Sequence, residues 1–145
     1  MKITTKYHGA IDIAEKDILH FQNGLPGFSD EKTFVLLPLD GDSPFWILQS
    51  TATPELGFVL VNPFGFFPEY EFDISENDKQ MLELKSEKDV AVWTILTVKD
   101  PFELSTANLQ APLVINVANN QGKQMILNDL RYATRQTLFP EKVAK

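Results

Sequence analysis

Short runs of β-branched and aromatic residues, separated by turn-forming residues, make up most of the hydrophobic pattern of this chain. Runs at such regular spacing are typical of an antiparallel sandwich or barrel. We therefore predict a mostly β fold, a small antiparallel β-barrel-like domain with one or two short helices. The predicted strands are Lys2–Lys6, Asp17–Phe21, Thr33–Leu39, Phe45–Ser50, Gly57–Val61, Tyr70–Ile74, Val90–Val98, Leu113–Val117 and Lys123–Leu127.

Two of these predictions are more specific. Val90–Val98 is apolar on both faces over much of its length, which indicates a central strand. Leu113–Val117 and Lys123–Leu127 flank an Asn- and Gly-containing segment, residues 118–122. Because Asn and Gly tolerate left-handed backbone conformations, this segment predicts a hairpin turn.

The clearest helix signal follows the sixth predicted strand. Ser75 is placed to cap a helix, and Glu76 and Asp78 lie in its first turn, where negative charge suits the helix dipole. The side chains that then face the sheet are Met81, Leu82 and Leu84. The alternative is a polar loop. A weaker candidate for a second helix is Asn128–Arg135, where Leu130 and Ala133 are three positions apart.

The length of 145 residues fits one domain. With 43% hydrophobic and 23% charged residues, the chain has the composition of a globular protein with a packed core. We expect residues 1–139 to form that single domain and residues 140–145, which begin with Pro140, to be a frayed tail.

Charge and cysteine content narrow the function classes. A net charge of −7 repels phosphate backbones and favours a cationic partner, so direct nucleic-acid binding is not expected. There is no Cys, no signal-peptide pattern at the start and no apolar stretch of the roughly 18 residues needed for a membrane span. We therefore expect a cytoplasmic protein without membrane contact.

No motif for catalysis or cofactor binding is evident. The chain lacks a nucleophile elbow, a phosphate-binding loop and a dinucleotide fingerprint. A two-His metal site made by His8 and His20 is conceivable, but two surface histidines are the commoner situation, and neither is assigned as a ligand. We expect no enzyme activity, no metal, no cofactor and no small-molecule substrate.

The segment Gly24-Leu-Pro-Gly27 predicts a rigid turn. Pro26 fixes φ, and Gly27 can adopt the positive φ that a type II turn then requires. Phe21 and Phe28 are expected to anchor the two ends in the core.

Two surface features are candidates for partner binding. Glu69, Glu71 and Asp73 alternate, so they would share one face of an extended segment, and Glu76 and Asp78 continue the negative cluster. Three interpretations of this row are open: a solvated face, a docking surface or an acid–base site. The turn between Asn62 and Pro68 contains three aromatic residues that either cap the core or form a sticky patch: Phe64, Phe66 and Phe67.

Several segments together resemble the flagellar assembly factor FliW family, from about Lys2 to Phe139. The resemblance rests on Phe21 with Gly24-Leu-Pro-Gly-Phe28, Phe45-Trp-Ile-Leu-Gln-Ser50, Phe58 with Asn62-Pro63, Asn108-Leu-Gln-Ala-Pro-Leu-Val-Ile-Asn116, and Gln124, Leu127, Tyr132 and Arg135. Most of these residues belong to turns and strands, so they identify the family better than they locate a binding surface.

The resemblance implies a small β-barrel-like cytoplasmic protein that binds flagellin. It also implies that the protein binds the RNA-binding translational regulator CsrA. This binding would act away from the RNA-binding surface of CsrA and relieve the repression of flagellin mRNA. The negative net charge of this chain is consistent with binding to a basic RNA-binding protein. The alternative, from another class, is a small β-barrel enzyme or flavin-binding barrel, but the 13 basic residues do not cluster with glycines as a phosphate site would require.

Overall fold

The structure is a computed structural model that describes residues 1–139. The described part contains eleven β-strands and two short α-helices. The strands are β1 (Lys2–Thr5), β2 (Gly9–Asp12), β3 (Ile18–Phe21), β4 (Thr33–Pro38), β5 (Phe45–Ser50), β6 (Gly57–Val61), β7 (Val90–Thr97), β8 (Thr106–Ala107), β9 (Leu113–Asn116), β10 (Gln121–Gln124) and β11 (Gln136–Thr137). The helices are α1 (Pro63–Phe66) and α2 (Glu76–Met81). The predicted tail at residues 140–145 lies outside the described residues.

Seven strands form a closed barrel in the order β3, β4, β5, β6, β7, β9, β10. Neighbouring strands are antiparallel, except that β10 runs parallel to β3 and closes the barrel. The short strands β8 and β11 extend the sheet from β7, and β1 and β2 form a separate hairpin. The predicted mostly β, barrel-like fold with short helices is confirmed.

The barrel closes over a glycine. Gln121 and Gly122 pair with His20 and Phe21, and the His20 N–H donates to the Asn120 carbonyl at 2.8 Å. A Cβ atom at position 122 would lie 2.7 Å from the Phe21 ring. The absence of a side chain at Gly122 therefore makes the space that the Phe21 ring fills.

Side chains from β3, β4, β5, β6, β7 and β9 fill the interior of the barrel. Phe21 and Phe34 are fully buried, with their rings edge to face at a centroid distance of 5.4 Å. Such aromatic pairs contribute about 0.5–1.5 kcal/mol beyond their buried area. The other buried members of this interior core are Leu19, Leu25, Leu48, Leu60, Leu113 and Ile115.

The outer face of the barrel carries three further clusters. Ile3 of β1 and Ile13, the residue after β2, pack on Val35 of β4. Ile47 of β5 and Val59 and Val61 of β6 belong to a second cluster. The segments that cover them include residues 66–72, which contain Tyr70, and residues 127–139. On β9, Val114 packs against Leu82, which follows α2, and against Met125. Strands buried on both faces explain why β5, β6 and β9 read as continuous apolar runs.

The Gly24–Gly27 turn has the predicted conformation. Gly27 has φ +84°, and Phe28 N–H donates to the Leu25 carbonyl at 2.7 Å, as in a type II turn centred on Pro26 and Gly27. Phe21 anchors one end in the core. The expectation for Phe28 is wrong, because its side chain is 41% exposed; its ring meets the Phe58 ring in a T-shaped contact with the centroids 5.5 Å apart.

The predicted central strand, the hairpin and the capped helix are all present. β7 pairs with β6, β8 and β9, and β9 and β10 form the antiparallel hairpin. The Ser75 hydroxyl accepts a hydrogen bond from the Asp78 N–H, which caps α2. Leu82 is buried, and Met81 and Leu84 are partly buried.

Two predicted elements are wrong. Residues 70–74 alternate between inward and outward side chains, but they pair with no strand of residues 1–139. Asn128–Arg135 is not a helix: Asn128 has φ +55°, and the Asp129 carboxylate accepts a hydrogen bond from the Arg131 N–H. That local bond competes with the helical backbone bonds, as Asx turns do.

Replacing Gly122 should disturb the contact between position 122 and the Phe21 ring, where β10 meets β3. Gly122→Ala places a methyl group against the Phe21 ring, which is packed on Phe34 and has little room to move, so we expect a loss of about 1–3 kcal/mol in unfolding free energy. Chemical denaturation measures it. In a Phe21→Leu background the same substitution should cost less. Equal costs in both backgrounds would contradict the proposed contact.

The two left-handed glycines of the turn should differ in sensitivity. At Gly27 a Cβ meets nothing within 4 Å, whereas at Gly24, φ +64°, it lies 2.6 Å from the Phe28 carbonyl oxygen. Gly27→Ala therefore costs only the left-handed strain, about 1–2 kcal/mol, and Gly24→Ala should cost more. Thermal or chemical unfolding of the two variants tests this, and an equal or reversed order would count against the turn geometry.

Candidate functional site

Residues 69–74, here called the strap, connect the two helices across the outer face of the barrel. Tyr70 anchors the strap: it is 4% exposed, and its hydroxyl donates to the Leu109 carbonyl at 2.6 Å. Its ring meets the Tyr132 ring edge to face at 4.7 Å. Burial raises the pKa of the Tyr70 hydroxyl well above its usual value, so this hydrogen bond is retained throughout the physiological pH range.

The strap presents its three carboxylates to solvent. Glu69, Glu71 and Asp73 are exposed, while Tyr70 and Phe72 between them turn towards the protein. The shared outward face predicted for the three acids is therefore present, although it lies on an extended connection and not on a paired strand.

The structure brings a cation to one of these acids. Arg131 lies 3.3 Å from the Glu71 carboxylate and 2.9 Å from that of Asp129. Hydrogen bonds from Arg131 lower the pKa of Asp129. Arg131 thus partly neutralises Glu71. The other two acids of the strap, Glu69 and Asp73, form no ion pair within residues 1–139.

The other two predicted acids have different surroundings. Asp78 is only 9% exposed and forms an ion pair with Lys123 of β10, so it fastens α2 to the barrel. Because Asp78 is buried and paired, it is not an exposed docking residue. Removing either member of the pair would leave the other charge uncompensated. Glu76 is exposed and lies 3.4 Å from Lys79, three residues on in α2.

The three aromatic residues of the Phe-rich turn divide between burial and exposure. Phe66 and Phe67 are partly buried and pack on the outer core, with the Phe66 and Phe45 ring centroids 6.0 Å apart. Phe64 is 43% exposed and rests on the Tyr70 ring at 5.9 Å. Phe64 alone of the three is therefore prominent at the surface, beside the strap.

A cleft of about 610 Å³ lies between the strap, the end of α2 and the barrel. Its apolar lining comes from segments far apart in the sequence: Phe64, Phe72, Ile74, Leu84, Val90 and Val92. Glu71, Asp73 and Glu87 contribute carboxylates to it, and Lys79 and Lys85 contribute ammonium groups. Apolar surface rimmed by charges is the composition of a protein-binding surface.

Sequence reasoning found the strap acids and Phe64 but missed the other wall of this cleft. The sequence places Val90 and Val92 only in a central strand. It places Arg131 in a helix, whereas in the structure Arg131 lies beside Glu71, outside the cleft lining. Only the fold brings these residues beside the strap, so no local sequence signal marks them. The predicted turn residues Gly24, Pro26 and Gly27 line no part of the cleft.

The structure offers no metal centre in the described part of the chain, where no group of three or more His, Asp or Glu side chains is placed to hold an ion. The His8 ring instead forms a 2.8 Å hydrogen bond with the Pro38 carbonyl. Among residues 1–139, no helix has the length and apolar character that a membrane crossing requires.

The fold and the surface together define a small closed β-barrel protein with a mixed acidic and apolar cleft on its outer face. The family model described as "FliW protein" matches residues 2–138, and the chain belongs to this family.

Close relatives cover essentially the whole chain. The flagellar assembly factor FliW of Geobacillus thermodenitrificans is 60% identical over 145 residues, which is 100% of both chains. That of Bacillus subtilis is 49% identical over 141 residues, 97% of this chain and 99% of the relative. A solved crystal structure of the flagellar assembly factor FliW superposes with a TM-score of 0.90 at 56% identity, covering 98% of this chain and 99% of that one.

Proposed function

We propose that this chain is a cytoplasmic partner-switching regulator of flagellar assembly, with no enzymatic step. In this proposal it binds flagellin, and when flagellin has been exported it binds CsrA and antagonises the repression of flagellin mRNA. Family membership over nearly the whole chain supports the role in flagellar assembly. The observation that carries the docking of CsrA is the exposed acidic strap beside an apolar cleft.

The charge distribution suits a basic RNA-binding partner. The chain has a net charge of −7, and Glu69 and Asp73 project from the strap without an ion-pair partner among the described residues. Such charges act mainly on the rate of encounter, whereas buried apolar contacts hold the complex together. Phe64 and the apolar lining of the cleft are placed to supply those buried apolar contacts.

The flavin-barrel alternative finds no support in the fold. The barrel interior is filled by side chains such as Phe21, Leu48 and Leu60, which are fully buried. The outer cleft carries carboxylates, which repel the phosphate group of a flavin nucleotide.

Reversing the free acids of the strap should slow the encounter with CsrA. We expect Glu69→Lys/Asp73→Lys to lower the association rate constant about 3- to 10-fold at low ionic strength and to weaken its salt dependence. Stopped-flow or surface-based kinetics measure both. Arg131 and its partners remain intact in this variant, so the fold should be unchanged.

The matched control is Glu15→Lys/Asp17→Lys, which changes the net charge equally. These exposed acids follow the β1–β2 hairpin, which packs on β4, on a different side of the barrel from the strap. The control should change the rate much less. If both variants slowed association equally, the effect would come from net charge, and the docking face would lie elsewhere.

The switch requires flagellin and CsrA to weaken each other. Thermodynamic linkage makes the effect reciprocal, and a useful switch needs a coupling of at least about 1.4 kcal/mol, a tenfold change in affinity. Two interfaces of about 800 Å² each would cover roughly a fifth of the 8624 Å² surface, so the area alone does not force them to overlap.

Titrating flagellin into a preformed complex with labelled CsrA tests this coupling. We expect CsrA to be released, with at least a tenfold loss of its affinity. Titration of CsrA into the flagellin complex should give the same factor. A stable ternary complex with unchanged affinities would rule out the switch.

A further inference from the structure

The first half of β7 has a strand neighbour on one side only. Val90–Trp93 pairs with β9, but β6 pairs with β7 only through Ile95 and Thr94. Continuing that ladder by two residues would place Pro63 opposite Val92. Proline has no N–H to donate, and α1 begins there, so the ladder stops.

Alternation along β7 shows which main-chain groups face the open side. The carbonyls of Asp89 and Ile95 accept hydrogen bonds from Val117 and Asn108, on the β9 side, at 2.8 and 3.0 Å. Successive residues of a strand direct their N–H and C=O groups to opposite edges. Val90 and Val92 therefore direct theirs to the edge that has no strand neighbour within residues 1–139. The Val90 N–H donates there to the Glu87 carbonyl, so the groups without a main-chain partner in this part of the chain are the Val92 N–H and the carbonyls of Val90 and Val92.

The outer cleft lies at this open edge. The side chains of Val90 and Val92 line it, together with Phe72 and Ile74 of the strap and Leu84 beyond α2. The free N–H of Val92 and the carbonyls of Val90 and Val92 lie beside this apolar floor, and an extended segment can add to such groups as a further strand.

The charge at the cleft selects the kind of segment. The cleft continues past Lys79, Leu84 and Lys85 into a shallower groove beside α2. One of the two lysines, Lys79, already lies beside Glu76. Glu71, one of the carboxylates here, also lies beside Arg131. The combined surface still carries more carboxylates than cations: Glu71, Asp73, Glu76, Glu83 and Glu87.

We propose that the open edge of β7 binds an extended segment of a partner protein by strand addition, and that this segment alternates apolar and basic residues. Its apolar side chains contact the cleft floor, and its basic side chains face the carboxylates. Its main chain bonds to the Val90 carbonyl and to the N–H and carbonyl of Val92. The inference rests on the proposed function only in requiring a protein ligand. It assigns the segment to neither flagellin nor CsrA.

The first test uses a blocked six-residue peptide of alternating Val and Lys with ¹⁵N-labelled protein. In the free protein, the amide of Val92 should exchange with solvent at least tenfold faster than those of Ala91 and Trp93. Saturating peptide should slow the exchange of Val92 selectively. Absence of binding, or protection without this alternation, would overturn the proposal.

Two N-methylated forms of the peptide are matched controls that leave its charge and apolar content nearly unchanged. Methylating all Val nitrogens blocks one edge of the extended peptide, and methylating all Lys nitrogens blocks the other. One form should bind at least tenfold more weakly and the other within about twofold of the parent. Equal affinities of the two forms would show that charge or apolar contact alone causes the binding.

A protein variant gives an independent readout. Val92→Lys places a positive charge at the edge and should weaken peptide binding at least tenfold. Val98→Lys, the same substitution at a 50% exposed position just after β7, should leave it unchanged. If Val92→Lys does not fold, as judged by its NMR spectrum, the methylated peptides still decide the question. Equal binding by both folded variants would overturn the assignment.

The outcomes separate this inference from the proposed function. Peptide protection of Val92, in a protein that binds neither CsrA nor flagellin, would overturn only the proposed function. Binding of both proteins without peptide protection would overturn only the strand-addition site. Protection that rises with protein concentration alone would identify a second copy of the chain as the occupant and would also overturn the proposal.

Discussion

The contact between Phe21 and Gly122 closes the barrel, and the outer surface is arranged by that closure. The parallel pairing of β10 with β3 requires β10 to approach closely enough for the Phe21 ring to lie over position 122. With β10 in place, Lys123 on its outer side reaches Asp78 and holds the start of α2. Packing inside the barrel at Gly122 thus positions Lys123, the next residue, and Lys123 positions α2 beside the cleft.

A second contact fixes the other end of α2. Asn116, which ends β9 and is 2% exposed, donates from its side-chain amide to the Leu82 and Glu83 carbonyls at 2.8 and 3.2 Å. These carbonyls follow the last turn of the helix, where backbone acceptors lack intrahelical partners. The cleft wall is therefore held at one end by a partly buried ion pair to Lys123 and at the other by the buried Asn116 amide, and both of these residues belong to the β9–β10 hairpin.

The features predicted correctly from the sequence are those that local physics determines. The Ser75 cap, the Gly27 turn and the β9–β10 hairpin each depend on residues within a few positions of one another. Barrel closure and the cleft depend instead on pairings across the whole chain, such as His20 with Gln121. For the same reason Asp78 looked like one more surface acid: its partner Lys123 is 45 residues away.

An open strand edge is a liability that folded proteins usually cover, because it can pair with other chains. The β6–β7 ladder stops before Pro63 and leaves Val92 and the Val90 carbonyl facing the cleft. The surrounding carboxylates repel other copies of this acidic chain, so they limit self-pairing while attracting basic segments. The same charges that protect the edge thereby define the partner it would accept.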